Sequence, residues 1–570
     1  MTLPPYGSSD SGPTSQTADL ILKNGAVFTM DANRSQVTAV AVKDGKIVFV
    51  GGDTGTEALR GSSTRVVDLQ GQMVLPGLHD SHVHLTEGGL ALLQCDLTGL
   101  TTVQQVLDKV ASYAAEHPAL AWIVGGGWAL TLFPPEGPTH QRLDAVVPDR
   151  PVLLYGDDGH SAWLNAEALR LSGITKDTAD PPNGRIERDA AGEPTGTLRE
   201  SALDLPIAAA PPISRQEYAD GLRVGLRLAA ELGITSIFEA NATPGVLQSY
   251  QDLDAGGELT LRVLAALATK PLEGPEQVAA LIQARERAHG RRLRANAAKI
   301  FVDGVIEAQT AGLLEPYVGS SDAPIWVHET SNLQAALIEP YVGSSDSGSL
   351  NFTPQALNAL VQALDDAGFT VHFHAIGDRA VRVALDSVEA LGGTDLRPSI
   401  AHVELTDPAD LPRIAQLGGV ANIQPRWAIE DEDIKELTEP VIGPERAKRL
   451  YTFGSMRDAG ALLAGGSDWP VSGLSPLEGI QVAITRRALD AGPGEAWLPE
   501  QLLTLQEALE AYTINGAYAL LQEDVTGSLE VGKLADMVVL ERNLFEVPPS
   551  QISQVRVLRT FVEGEEVDRA

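Results

Sequence analysis

A single cysteine, Cys95, in 570 residues excludes an internal disulfide framework and any zinc finger built from thiolates. No uncharged apolar run reaches the roughly 18 residues of a membrane-spanning helix, so a transmembrane segment is not expected. Basic residues are scarce: 42 Lys and Arg face 76 Asp and Glu, a net charge of −34. A surface this acidic repels nucleic acid and anionic lipid, so neither is an expected partner. The opening MTLPPYGSSDSGPTSQT has no apolar stretch of the kind found in signal peptides. It reads as a disordered tail over 1–17, with the cytoplasm as the expected compartment. What is present suits a globular chain with a sizeable core: 44% hydrophobic residues and a mean hydropathy of −0.02.

Three patterns divide the chain. Residues 18–75 hold short β-branched runs broken by Asn24-Gly25 and Asp44-Gly45, and residues 522–570 read the same way (GSLEVGKLADMVVL, VLRTFVEGEEV). Together they predict one small β-sandwich built from both chain ends. Between them, over 76–521, an amphipathic helix, a glycine and a short apolar strand recur, with the glycines at Gly233, Gly368, Gly418 and Gly460. This alternation predicts an α/β fold with a parallel sheet closed into a (β/α)₈ TIM barrel. An open doubly wound sheet is the other solution, but no glycine-rich phosphate loop follows the first strand. Residues 120–215, rich in Pro, Gly and Asp, break the pattern and read as an inserted subdomain over the barrel mouth. EPYVGSSD occurs at 315–322 and again at 339–346, which reads as a local duplication lengthening one loop.

Histidine is also scarce, at 11 residues, yet its placement is ordered. His82 and His84, in LPGLHDSHVHL, stand two apart at a strand end, where both imidazoles face the same way and make half of a metal site. His374 in TVHFHAIGD, His402 in SIAHVEL and Asp468 in LLAGGSDWP close other strands of the repeating unit. In a barrel such strand ends converge on one point. Taken singly, any of these histidines reads as a solvated or structural residue; their recurrence at successive strand ends reads as a metal centre.

Those motifs, together with AKIFVDGVIEAQTA (298–311), HAIGDRA (374–380), PERAKRLYTFGSMRDAGALLAGGSDWPVSGLSPLEGI (444–480) and GSLEVGKLADMVVL (527–540), resemble the amidohydrolase superfamily. The nearest likeness is to the group of N-substituted formamide deformylases and YtcJ-like amidohydrolases. The resemblance implies a metal-dependent hydrolase that cleaves an amide-type C–N bond of a small organic substrate through a metal-activated hydroxide. It implies that His82 and His84 hold one ion and that His374 and His402 hold a second. Lys299 becomes a bridging ligand once CO2 converts it to a carbamate, since a free ammonium has no lone pair to offer. Read without the resemblance, Lys299 is an ordinary inward lysine paired to a carboxylate. Asp468 contacts metal and moves the proton. Zinc suits the ligand set best; manganese, iron or nickel also fit.

By the same resemblance His160, in DGH, and Gln424, in NIQPRW, are substrate-binding positions, and Trp128, in GGGW, walls an apolar pocket. For His160 and Trp128 a structural role stands beside the functional one. Arg426 and Trp427 depart from the group's usual pattern, and His79 and His372 are additional inward candidates. The other functions left open are a deaminase or cyclic-amide hydrolase on the same scaffold, and a non-catalytic metal-binding scaffold. The expected partners are a small-molecule substrate and, at most, further copies of the same chain.

Overall fold

A computed structural model describes residues 17–568, except 183, 272, 319–346, 394, 395 and 493. The tail expected over 1–17 therefore lies, but for residue 17, outside the described residues. So do the second EPYVGSSD copy and the end of the first.

Eight parallel strands follow one another around a barrel: Leu78–Val83, Ile234–Ala242, Arg262–Ala268, Leu293–Phe301, Thr370–Ala375, Ser399–His402, Val420–Ile423 and Leu462–Gly465. The last lies beside the first without a regular ladder. There the Ser81 hydroxyl donates to the Gly465 carbonyl at 2.6 Å and Asp468 N donates to His82 O at 2.7 Å. The strands are apolar on both faces because helices cover them outside and side chains fill them inside. The helix–glycine–strand units are visible as such. Gly233, Gly368, Gly418 and Gly460 have φ of +81°, +73°, +68° and +88°, the left-handed conformation that ends a helix and turns the chain into the next strand. The helix Arg215–Glu231 starts in a full capping box, Ser214 with Glu217.

Below the barrel two sheets stack. One has four strands, all from residues 20–68; the other has six, drawn from residues 26–76 and 537–566. Their inner faces share one core, including Leu22, Val40, Val74, Leu529, Val539 and Phe561. Strand Met73–Pro76 pairs antiparallel with Met537–Leu540 and passes through Gly77 into the first barrel strand. A buried ion pair joins the two layers: Arg262 Nε lies 2.9 Å from Asp536 Oδ2, and Arg262 also reaches Glu563 at 3.0 Å.

A third six-stranded sheet lies between the first and second barrel strands in sequence. It begins at Cys95–Asp96, earlier than composition suggested, because these residues pair in parallel with Gly125 and Gly126. It ends with Pro194–Glu200 and has its own core around Trp128, Phe133 and Trp163. Among the described residues no helix is long and apolar enough to cross a membrane.

Candidate metal centre

Alternation along LHDSHVH puts Asp80, His82 and His84 on one side of the first strand and its extension. His82 is fully buried, and its Nε2 lies 3.4 Å from Asp468 Oδ1; His84 Nε2 lies 3.2 Å from the same oxygen. The ligand atoms of His82, His84 and Asp468 all fall within 4.8 Å of one another, the one such group among the described residues. Asp468 reaches them from the eighth strand through Gly466, where a Cβ would meet His82 Cβ at 2.7 Å. Asp80 sets the register, since its Oδ1 accepts from both His82 N and Ser467 N. Asp468 has φ of +55°, His402 +76° and Val403 +42°, a left-handed conformation that costs energy and persists only where surrounding contacts enforce it.

The other expected ligands surround this trio without completing a single shell. Lys299, 1% exposed, points its Nζ at His82 Nε2 from 3.4 Å. The His402 ring lies 4.8 Å from that of His82 and 4.5 Å from that of His374. His374 Nε2, however, donates to the Gly304 carbonyl at 3.1 Å. Burial, with the Lys299 charge or a neighbouring imidazole adding to it, holds His82, His372, His374 and His402 well below the usual histidine range. They are therefore neutral, the form in which imidazole offers a lone pair. Burial also lowers the Lys299 ammonium to about 8 and raises Asp80 to about 7.

The supporting contacts are specific. The Ser81 carbonyl can only accept, and takes a hydrogen bond from Asn422 Nδ2 at 2.6 Å. Asn422 Oδ1 then accepts from Gln424 Nε2, and Gln424 Oε1 faces His402 Nδ1, each at 3.0 Å. The chain makes Nδ1 the protonated nitrogen of His402 and leaves Nε2 with the lone pair. Trp427 stacks on the same ring at 5.3 Å and 3°. His372 Nε2 contacts His82 Nδ1 at 2.9 Å and so holds the ring in place. Asp303, in KIFVDG, accepts from the backbone N–H groups of Gly312, Ile376 and Gly377 and so ties the Lys299 strand to the His374 strand.

Three sequence readings change here. Gln424 is 1% exposed and both ends of its amide are used inside the protein, so it orients His402 instead of meeting substrate. Trp128 is fully buried, packs edge-on against Phe133 and Trp163, and donates its Nε1–H to Leu154 O at 3.0 Å. It is a core residue of the third sheet, with no surface left for a pocket. His79 lies under the barrel, with Nδ1 against Gly77 O, away from the ligand cluster. His160 does stand at the centre, its ring 5.5 Å from that of His374 and its Nδ1 2.8 Å from Glu200 Oε2. The Thr310 hydroxyl donates to the other Glu200 oxygen at 2.6 Å. Asp80, Asp303 and Asn422 were not singled out from the sequence; the alternation of Asp80 with His82 and His84 was the one available signal.

A parallel eight-stranded barrel with two imidazoles and a carboxylate gathered at its C-terminal end defines a metal-dependent hydrolase scaffold. Residues 65–568 match the model of the amidohydrolase family, and the chain belongs to that family. It is 31% identical to Protein LONG AFTER FAR-RED 3 of Arabidopsis thaliana, over 97% of this chain and 92% of that one. It is 29% identical to the putative amidohydrolase YtcJ of Bacillus subtilis, over 96% and 98%. With the N-substituted formamide deformylase of Arthrobacter pascens it shares 28% identity over 96% and 98%. Among solved structures, an uncharacterized metal-dependent hydrolase from Pyrococcus horikoshii superposes with a TM-score of 0.71 at 26% identity, over 93% of this chain and 99% of that one.

Proposed function

We propose that the protein hydrolyses an amide-type C–N bond in a small organic substrate. The observation that carries this reading is Asp468. Its Oδ1 is buried, has no hydrogen-bond partner, and faces the Nε2 atoms of His82 and His84. Two imidazole nitrogens and a carboxylate oxygen converging within 4.8 Å fit a divalent cation, and this donor set suits zinc. His82, His84 and Asp468 would hold it, with His402 beside them and Lys299 joining as its carbamate. When bound, such an ion supplies Lewis acidity, lowering the pKa of water from near 16 to about 7 and favouring negative charge on a carbonyl oxygen.

The protein's own groups supply the rest. Asp468 accepts the proton of the attacking water at its carboxylate and hands it to the leaving nitrogen, base first and acid second. The amine of Lys299, which burial brings to about 8, has a substantial neutral fraction at pH 7–8, the form that combines with CO2. His160, tethered by Glu200 at 2.8 Å, would donate a hydrogen bond to the substrate carbonyl. The buried walls around His374 and His402 exclude bulk water. The likeness to a formamide deformylase supports the choice of bond. The test pairs elemental analysis, after preparation with zinc and bicarbonate, with turnover of a panel of N-formyl and N-acetyl amines. Metal at one or two ions per chain with release of amine is the expected result. Less than about 0.2 ion per chain, or full metal with no C–N cleavage anywhere in the panel, would refute the reading.

A further inference from the structure

The inserted sheet reaches the ligand cluster through His160, and the contacts that hold this ring come from two parts of the chain. Strands Ser161–Leu164 and Pro194–Glu200 pair antiparallel, with Ser161 opposite Arg199. One residue further on, Glu200 N donates to His160 O at 2.9 Å, so the His160 and Glu200 side chains stand as cross-strand neighbours. Asp158 fixes the turn before them, its Oδ1 accepting from the backbone N–H groups of His160 and Ser161 at 3.1 Å each. Glu200 has φ of +50°, a conformation that a non-glycine residue keeps only where surrounding contacts enforce it. Those contacts occupy both carboxylate oxygens: His160 Nδ1 on Oε2 at 2.8 Å and the Thr310 hydroxyl on Oε1 at 2.6 Å.

Thr310 belongs to the barrel. It follows the Lys299 strand, and its Oγ1 accepts from Val305 N at 2.9 Å. Gly304 sits against the pair so closely that a Cβ there would collide with Thr310 Oγ1 and Glu200 Oε1, and its carbonyl takes the hydrogen bond from His374 Nε2 at 3.1 Å. A carboxylate can only accept, so Nδ1 is the donor toward Glu200 whatever else the ring carries. Nε2 is then the one ring nitrogen left to meet a substrate, and it has no hydrogen-bond partner among the described residues. We propose that Glu200 and Thr310 are positioning residues of the hydrolytic reaction: they act through His160, hold its ring with Nε2 at the substrate carbonyl, and so make the inserted sheet a working part of the site. The word reaction rests on the hydrolytic reading above; the hold on the ring stands apart from it.

The test uses the full chain, loaded with zinc, and has two arms. In the first, proton resonance of protein carrying nitrogen-labelled histidine follows the Nδ1–H of His160, assigned by its loss in His160→Gln. The wild type is expected to show this proton protected from exchange, and Glu200→Ala to lose it. In the second, on an amide that the wild type cleaves, His160→Gln and Glu200→Ala are each expected to lower kcat by at least about 10²-fold with KM within about threefold. The double variant is expected to be no slower than His160→Gln, because residues that act as a unit are not additive. Thr310→Val, which is isosteric, is expected to lower kcat by about 10-fold, and Thr310→Ser to restore it. Should Glu200→Ala not fold, Thr310→Val takes its place in both arms. Losses that multiply to about 10⁴-fold in the double variant would overturn the proposal, since Glu200 would then act apart from His160. A His160 signal indifferent to Glu200 and Thr310 would overturn it too, even where amides are cleaved. If no amide is cleaved while the signal depends on Glu200 as expected, the hydrolytic reading fails and the hold on the ring remains.

Discussion

The chain from the Ser81 carbonyl through Asn422 and Gln424 to His402 can be cut at one place. Gln424→Leu is close in volume and removes the acceptor facing His402 Nδ1 at 3.0 Å as well as the donor to Asn422 Oδ1. A buried N–H left without a partner costs about 1–3 kcal/mol, and the stranded Asn422 oxygen adds a similar amount. The Trp427 stack still confines the ring plane, but nothing then sets which nitrogen carries the proton. Loss of such an orienting group lowers metal affinity by about 10- to 100-fold, or roughly 1.4–2.7 kcal/mol. Gln424→Glu keeps an acceptor for His402 Nδ1 but loses the donor to Asn422 Oδ1, so it is expected to melt below the wild type yet hold zinc more tightly than the leucine variant. The assay is competition against a chromophoric zinc chelator, beside thermal melting of the metal-free proteins. If Gln424→Leu holds zinc within twofold of the wild type, or Gln424→Glu loses as much affinity as the leucine variant, the orienting role is refuted.

Asp468→Asn keeps size and one oxygen but removes the proton acceptor; it is expected to fold, to retain metal, and to lose at least about 10²-fold in turnover on any amide that the wild type cleaves. An asparagine variant with full turnover would take Asp468 out of the chemistry. Lys299→Ala is expected to lose metal and activity, with partial recovery when short carboxylic acids supply the missing oxygen; full metal content in the variant would exclude a carbamate ligand. Burial alone would lower the His160 pKa, but the Glu200 carboxylate outweighs it and raises the value to about 9. The folded state therefore holds a proton that the unfolded chain, near 6.5, has lost. That stabilisation is complete below about pH 6.5 and disappears as pH rises through about 9. Melting temperature measured between pH 6.5 and 9.5 should fall in the wild type and stay flatter in Glu200→Gln; parallel curves would show that the pair does not govern stability.

The barrel was legible because its repeating unit is local: a helix of 6 to 17 residues, a glycine at φ between +68° and +88°, and a strand of four to nine residues. The trio of His82, His84 and Asp468 was legible because strand ends are where a barrel places function. What the sequence hid is long-range pairing. Ser81 and Asn422 are 341 positions apart and His82 and His372 are 290 apart, and no spacing rule links such partners. Trp128 was misread for a related reason. A tryptophan after three glycines fits a pocket wall and a sheet core equally well, and only the neighbours Phe133 and Trp163 decide between them. The early start of the third sheet was hidden because Cys95–Asp96 is a two-residue strand.

The strand Met73–Pro76 leads straight into His79 and His82, and its partner along one edge is Met537–Leu540. On a ribosome the first of these emerges long before the second. The strand that leads into His82 thus waits for its hydrogen-bond partner until the whole barrel between them has been made, the eighth strand and Asp468 included. A nascent chain released short of residue 537 would have all its barrel strands, yet Met73–Pro76 would lack its antiparallel partner.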